Sequence, residues 1–216
     1  MANSKTVQKR IKKYYKRDSE IIYPPVDTNK FKSYKNYIDD SLQKEKYFLI
    51  GCRLVSYKRV DLVVRAFLDM PDKKLKIFGD GVDRERLEKI ADGASNIEFL
   101  GRVSDEDLVK YYANAQGFIN PQEEDFGITA VEAMSAGCPV IAYKKGGATE
   151  TVIDGETGLF FENQNVADIK KAVSDFDKNK FDSEKISEHA SKYSSEVFQE
   201  KIKEFVDRKT KEAKNS

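Results

Sequence analysis

From residue 47 onward, short runs of consecutive apolar residues alternate with stretches whose apolar positions recur every three or four residues. That rhythm belongs to a parallel sheet with crossover helices. The runs Tyr47–Gly51, Leu75–Phe78, Ile97–Leu100, Gly117–Asn120, Pro139–Tyr143 and Leu159–Phe160 predict six short strands. Val60–Leu68 is too long for a buried strand and predicts a helix ended by Pro71, and Asp83–Ala91 predicts a second. Ser104 caps a third helix that runs through Tyr112, with Asp105, Glu106 and Asp107 at its positive end. Gly127–Ala136 and a short piece at Thr149–Ile153 complete the alternation. Beyond residue 165 the strand pattern stops, and Val166–Phe176, Ser183–Lys192 and Ser195–Arg208 read as amphipathic helices packed around the sheet, followed by a frayed lysine-rich tail. The expected class is α/β: a Rossmann-like parallel sheet with helices on both faces and a helical C-terminal tail.

Residues 1–40 are different in composition from residues 41–216. Positions 1–17 hold Lys5, Lys9, Arg10, Lys12, Lys13, Lys16 and Arg17 with no acid, while Val7, Ile11, Tyr14 and Tyr15 recur at helical spacing. This predicts a basic amphipathic helix. A strand-like run, Glu20–Tyr23, ends at Pro24-Pro25 and gives way to a polar stretch that reads as a linker. One helix and one strand cannot form a core, so this segment either docks on the main domain or is the edge of a neighbouring one.

Length and charge narrow the function classes. The 216 residues suit one α/β domain with an extra piece. The 38 basic residues are matched by 37 acidic ones, a net charge of +1, which argues against bulk nucleic-acid binding. Cys52 and Cys138 fit neither a disulfide framework nor a metal-ligand spacing and read as reduced structural thiols. No run approaches the 18 or so apolar residues of a membrane span, and the first residues lack the apolar centre of a signal peptide, so the expected location is cytoplasmic.

In an open parallel sheet, ligands bind beyond the carboxyl ends of the strands. Four loops there carry candidate chemistry. Arg53-Leu54-Val55-Ser56-Tyr57-Lys58-Arg59 offers cations beside a helix start, suited to a phosphate or diphosphate, or else forms a solvated charge run. Gly79-Asp80-Gly81 permits close backbone approach or is a plain turn. The segment Glu123–Ile141 is the most informative, since an acid-rich loop enters a helix on which Glu132 is the single charge between Gly127 and Tyr143. Burying such a carboxylate requires hydrogen-bond donors, which sugar hydroxyls supply; the competing reading is a core helix whose Glu meets a lysine or arginine. Glu124 lies in the preceding loop, and the backbone amides near Gly127 and Ile128 are free to hold an anion. Lys144-Lys145-Gly146-Gly147-Ala148-Thr149-Glu150 is a secondary candidate.

Together these loops resemble the nucleotide-binding half of family 4 glycosyltransferases, which have the two-domain GT-B fold. The resemblance covers essentially the whole chain. Glu124 and Glu132, seven residues between them, look like the family's EX7E signature. Arg53-Leu-Val-Ser-Tyr-Lys-Arg-Val-Asp-Leu, Phe99-Leu-Gly-Arg-Val and Gly146-Gly-Ala-Thr-Glu-Thr-Val-Ile-Asp-Gly-Glu-Thr-Gly-Leu-Phe-Phe match in order. The wording around Tyr57–Leu62 is most similar to mannosyltransferase-like members that build surface polysaccharide.

The resemblance implies retaining transfer of a hexose from a nucleoside diphosphate sugar to a glycan or lipid-linked acceptor, without a metal or other cofactor. Arg53, Lys58 and Glu124 would be the catalytic set, Arg53 and Lys58 binding the diphosphate and Glu124 holding the transferred sugar. Val103 and Arg102 would meet the base, Glu132 the ribose hydroxyls, and the amides of Phe126, Gly127 and Ile128 the phosphate; Gly79 joins this donor-binding set. His189, the only histidine, reads as a surface or packing residue. Family members carry an N-terminal acceptor-binding domain, of which residues 1–40 resemble the last piece and the linker. The chain is thus expected to bind donor and to transfer sugar poorly alone. A non-catalytic nucleotide-sugar-binding or partner-binding module is the other reading, and the basic helix also suits peripheral contact with the cytoplasmic face of a membrane.

Overall fold

The structure, a computed structural model, describes residues 1–215. Its centre is a six-stranded, all-parallel sheet: β1 (Tyr47–Gly51), β2 (Lys74–Phe78), β3 (Ile97–Gly101), β4 (Phe118–Asn120), β5 (Val140–Tyr143) and β6 (Gly158–Phe161), in the order β3-β2-β1-β4-β5-β6. This is the doubly wound order, and its direction reverses between β1 and β4. The eleven helices described are α1 (Lys5–Tyr15), α2 (Thr28–Lys32), α3 (Asp40–Glu45), α4 (Val60–Leu68), α5 (Arg84–Ala91), α6 (Asp105–Asn114), α7 (Ile128–Ser135), α8 (Ala148–Thr151), α9 (Val166–Asp175), α10 (Ser183–Ala190) and α11 (Ser195–Lys214).

Strand alternation sorts the apolar residues into two cores. Phe48, Ile50, Ile119 and Ile141 face α4, α5 and α9, while Leu49, Phe118, Val140 and Ala142 face α6, α7 and α10. Both faces are therefore covered, as an all-parallel sheet requires. The fold class read from the sequence is observed, with strand ends within a residue or two of expectation. Among the described residues no helix is long and apolar enough to cross a membrane.

Two segments differ from the sequence reading. Residues 26–40, polar enough to read as a linker, form α2, a 3-10 turn at Ser33–Tyr37 and the start of α3, and they bury Phe31 and Tyr34 in the main core. Asp27 and Asp39 cap these helices through their side chains. At the far end α11 does not fray at Arg208 but runs to Lys214, supported by Arg208–Glu212 and Lys209–Glu212 pairs on its surface. The strand-like run at Glu20–Tyr23 is reduced to one parallel bridge, Ile21 with Ala2, on the other side of α1.

Candidate functional site

The order reversal leaves a crevice between the loop after β1 and the loop after β4, and the charged side chains gather there. A cleft of about 400 Å³ is lined by Arg53 and Lys58 from the first loop and by Glu124, Gly127 and Ile128 from the second. Asn3 and Pro24, from the N-terminal segment, form part of its wall. Lys58 Nζ makes an ion pair with Glu124 Oε1 directly across the crevice. Burial alone would lower the Lys58 pKa, but the hydrogen bond and charge of Glu124 outweigh it and raise it. Arg53 is exposed at the lip with no ion-pair partner among the described residues.

The start of α7 is shaped for an anion. Gly127 caps the helix at φ 90°, a conformation that favours glycine. No described residue accepts a hydrogen bond from the amides of Gly127, Ile128 or Thr129. The Phe126 side chain is only 3% exposed, so its contribution to a ligand can come from its backbone alone. Its ring is held between Tyr23 and Tyr193, at centroid distances of 5.7 and 5.5 Å. That aromatic cluster fixes the loop from below.

Glu132 lies one turn further along α7, on the side where Ile128 is exposed and Thr129 half-buried. Tyr112 Oη, at 3.5 Å, is the one hydrogen-bond partner of its carboxylate among the described residues. The nearest influential cation, Lys30, is committed to Asp105 at 2.6 Å. The carboxylate is thus not clamped by a cation, and burial raises its pKa.

The remaining donor-site candidates from the sequence, Gly79, Arg102 and Val103, do not line this cleft. Gly79, at φ 106°, lies so close to the β1 loop that a Cβ there would meet the Cys52 carbonyl oxygen at 1.9 Å. Its amide donates to Gly101 O at 2.7 Å, and Leu54 N donates to Asp80 O at 2.9 Å, so the loops after β1, β2 and β3 are laced together. Arg102 is exposed and 3.8 Å from Asp80, beside the half-buried Val103. Gly146 and Gly147 bring the next loop against the backbone of the acidic one: a Cβ on them would meet Glu124 O at 2.3 Å and Phe126 O at 2.4 Å. His189 is a packing residue whose Nε2 lies 2.8 Å from the Thr151 carbonyl. Cys52 and Cys138 are free thiols, and burial pushes each up to about 12.

Sequence reasoning missed Gln122, and it placed Glu150 in a secondary loop without reading its role. Gln122, 2% exposed, donates from Nε2 to Glu124 Oε1 at 3.2 Å. Glu150 accepts from the amides of Lys5 and Thr6 at 2.8 and 3.1 Å and from Tyr23 Oη at 3.1 Å, capping α1 from outside its own segment. With the Arg10–Asp125 ion pair, it fixes the basic helix at the rim of the cleft. A capping partner nearly 150 residues distant leaves no local signal.

Comparison with known proteins decides the family, since the profile described as glycosyl transferases group 1 matches residues 31–211. The chain belongs to that family. This group 1 glycosyltransferase chain is 33% identical over 178 residues to the GDP-mannose-dependent alpha-(1-6)-phosphatidylinositol monomannoside mannosyltransferase of Mycolicibacterium smegmatis, covering 72% of this chain and 46% of that protein. It is 32% identical over 160 residues to the poly(glycerol-phosphate) alpha-glucosyltransferase of Bacillus subtilis, covering 70% of this chain and 24% of that one. It spans less than half the length of these curated relatives. Among solved structures, a glycosyltransferase from Rickettsia africae superposes with a TM-score of 0.82 at 22% identity, covering 94% of this chain and 61% of that one. The Anabaena protein HepE in complex with UDP gives 0.81 at 21% identity, covering 96% and 63%. These structures share the fold.

Proposed function

We propose that the chain is the donor-binding half of a glycosyltransferase that moves a hexose from a nucleoside diphosphate sugar to a glycan or lipid-linked acceptor, with retention of configuration. The observation that carries this reading is the convergence of Arg53, Lys58, Glu124 and the free amides at the start of α7 on one cleft at the sheet's switch point. Arg53 and Lys58 supply fixed positive charge for a diphosphate, which gains negative charge as the glycosidic bond breaks. That charge is our reason for assigning no metal to the step. Lys58 has three donor positions, so it can meet a phosphate while keeping Glu124. Glu132 takes the ribose hydroxyls, Val103 and Arg102 the base, and Glu124 the sugar. Mannose is the favoured sugar because relatives at about one-third identity are GDP-mannose-dependent mannosyltransferases.

Residues 1–25 fit the edge of an acceptor-binding lobe, since the Ala2–Ile21 bridge flanking α1 is a parallel strand-helix-strand unit reduced to one pair. Transfer requires both lobes to hold the reactants together, so this chain alone is a binder with little turnover. Thermal melts with UDP, GDP and ADP sugars test the reading. At a hundred times its dissociation constant the matching ligand adds about 2.7 kcal/mol, a rise of about 5–10 °C for this size. A melting temperature unmoved by all three bases would overturn it.

Peripheral membrane contact is a further part of the proposal. Lys5, Lys9, Lys16 and Arg17 make no ion pair among the described residues, and Tyr14 and Tyr15 are 67% and 75% exposed. The chain should sediment with phosphatidylglycerol vesicles and not with phosphatidylcholine vesicles; equal sedimentation with both contradicts this.

A further inference from the structure

Strand β4 ends at Asn120, and Pro121 turns the chain so that the next side chain, Gln122, points under the acidic loop at 2% exposure. Its two amide atoms have different fates. Nε2 donates to Glu124 Oε1 at 3.2 Å, while Oε1 is buried without a partner among the described residues. The carboxylate decides this orientation, because a flipped amide would set oxygen against oxygen. A buried amide with one end unmatched is unfavourable, and such a group calls for an explanation. Here the one hydrogen bond the side chain makes is to the carboxylate that bridges the cleft.

The backbone of the loop does not depend on that bond. Gly147 N donates to Glu124 O at 2.7 Å, and Gln164 Nε2 donates to Pro121 O at 2.8 Å while its own Oε1 accepts from Arg59 Nη1 at 3.3 Å. The loop is anchored on both sides without Gln122. What Gln122 fixes is the Glu124 side chain: Oε1 accepts from both Lys58 and Gln122, and no described residue donates to Oε2.

We propose that Gln122 is a positioning residue that, with Lys58, saturates one oxygen of Glu124 and so presents the other to the sugar of the bound donor. The proposal rests on the donor-site reading above, in which Glu124 meets the sugar. It separates two halves of the ligand. Loss of the Gln122 amide weakens the hold on the sugar but leaves the diphosphate and nucleoside contacts, which come from Arg53, Lys58, the α7 amides and Glu132. A purely structural role would displace the whole loop, amides included, and weaken both halves.

Calorimetry on the 216-residue chain with GDP, GDP-mannose, UDP and UDP-glucose provides the test. Gln122→Met keeps the side chain's length and removes its polarity; Gln122→Asn keeps the amide but shortens its reach, and serves if the first variant does not fold. Either should weaken binding of the preferred nucleotide sugar about five- to tenfold, the effect of one typical net hydrogen bond, and leave the matching diphosphate within about twofold. Equal weakening of sugar nucleotide and diphosphate, or no weakening of either, overturns the proposal. Glu124→Gln separates the failures. If it lowers nucleotide-sugar affinity while Gln122→Met does not, the Gln122 role alone falls. If the parent chain binds none of the four ligands, the donor-site reading falls with it.

Discussion

Glu132 stands on a helix with no other charge, and burial raises its pKa in the free chain. A carboxyl whose folded pKa lies above its unfolded value takes stability away as pH rises from the unfolded pKa through the folded one, and the deficit persists above that window. Glu132→Gln removes the ionisation and keeps the shape, so the variant should melt higher than the parent at about pH 7.5, by on the order of 2 °C, with the gain vanishing near about pH 4. A lower melting temperature at neutral pH would mean that the carboxylate has an unseen partner. Donor affinity runs the opposite way with the same proton. The ionised form accepts two hydroxyl donors and the protonated form is a poorer acceptor, so affinity should fall as pH drops through the raised pKa. Calorimetry across that range reads it, and a flat profile would remove Glu132 from the ligand. The residue is thus unfavourable for the empty fold, and the proposed donor contact is what would offset that cost.

At the scale of elements, the site is built by loops pressed together with little room between their backbones. Gly147 has an ordinary φ of −61°, so its need for glycine is spatial: a Cβ would lie 2.4 Å from Phe126 Cα and O. Gly155 is the converse, with φ 76° and nothing within 4 Å. Gly147→Ala should therefore cost about 1–3 kcal/mol and displace the Glu124 loop, whereas Gly155→Ala should cost about 1 kcal/mol from conformation alone and leave donor binding intact. Denaturant melts with donor titrations distinguish them; equal effects on binding would contradict the laced-loop account. The same contrast explains what the sequence could reveal. Strands such as Tyr47–Gly51 and helices such as Val60–Leu68 announce themselves by local periodicity, and Glu124, Glu132, Arg53 and Lys58 by unusual charge placement. α2 and α3 were less legible because five or six residues cannot display a helical stripe, although Asp27 and Asp39 at their caps and the spacing of Phe31, Tyr34 and Tyr37 are signals in retrospect. The roles of Gln122 and Glu150 depend on loops meeting in space, and no one-dimensional pattern encodes them.

For the whole molecule, the parallel sheet order brings the carboxyl ends of β1 and β4 side by side, and that single topological fact brings charges at positions 53, 58 and 124 to one cleft, with Glu132 one turn further along α7. The N-terminal segment closes one wall through Asn3 and Pro24, fixed by Glu150 and the Arg10–Asp125 pair. The covered faces of the sheet supply rigidity, and the half-buried crevice is the proposed place of recognition. Titrating GDP and UDP into the chain and into its Glu132→Ala variant by calorimetry tests this account most directly. One diphosphate should bind the parent chain saturably, and the variant should bind it at least about tenfold more weakly, as loss of hydrogen bonds to a charged group requires. Failure of both nucleotides to bind, or equal affinity in parent and variant, would contradict it.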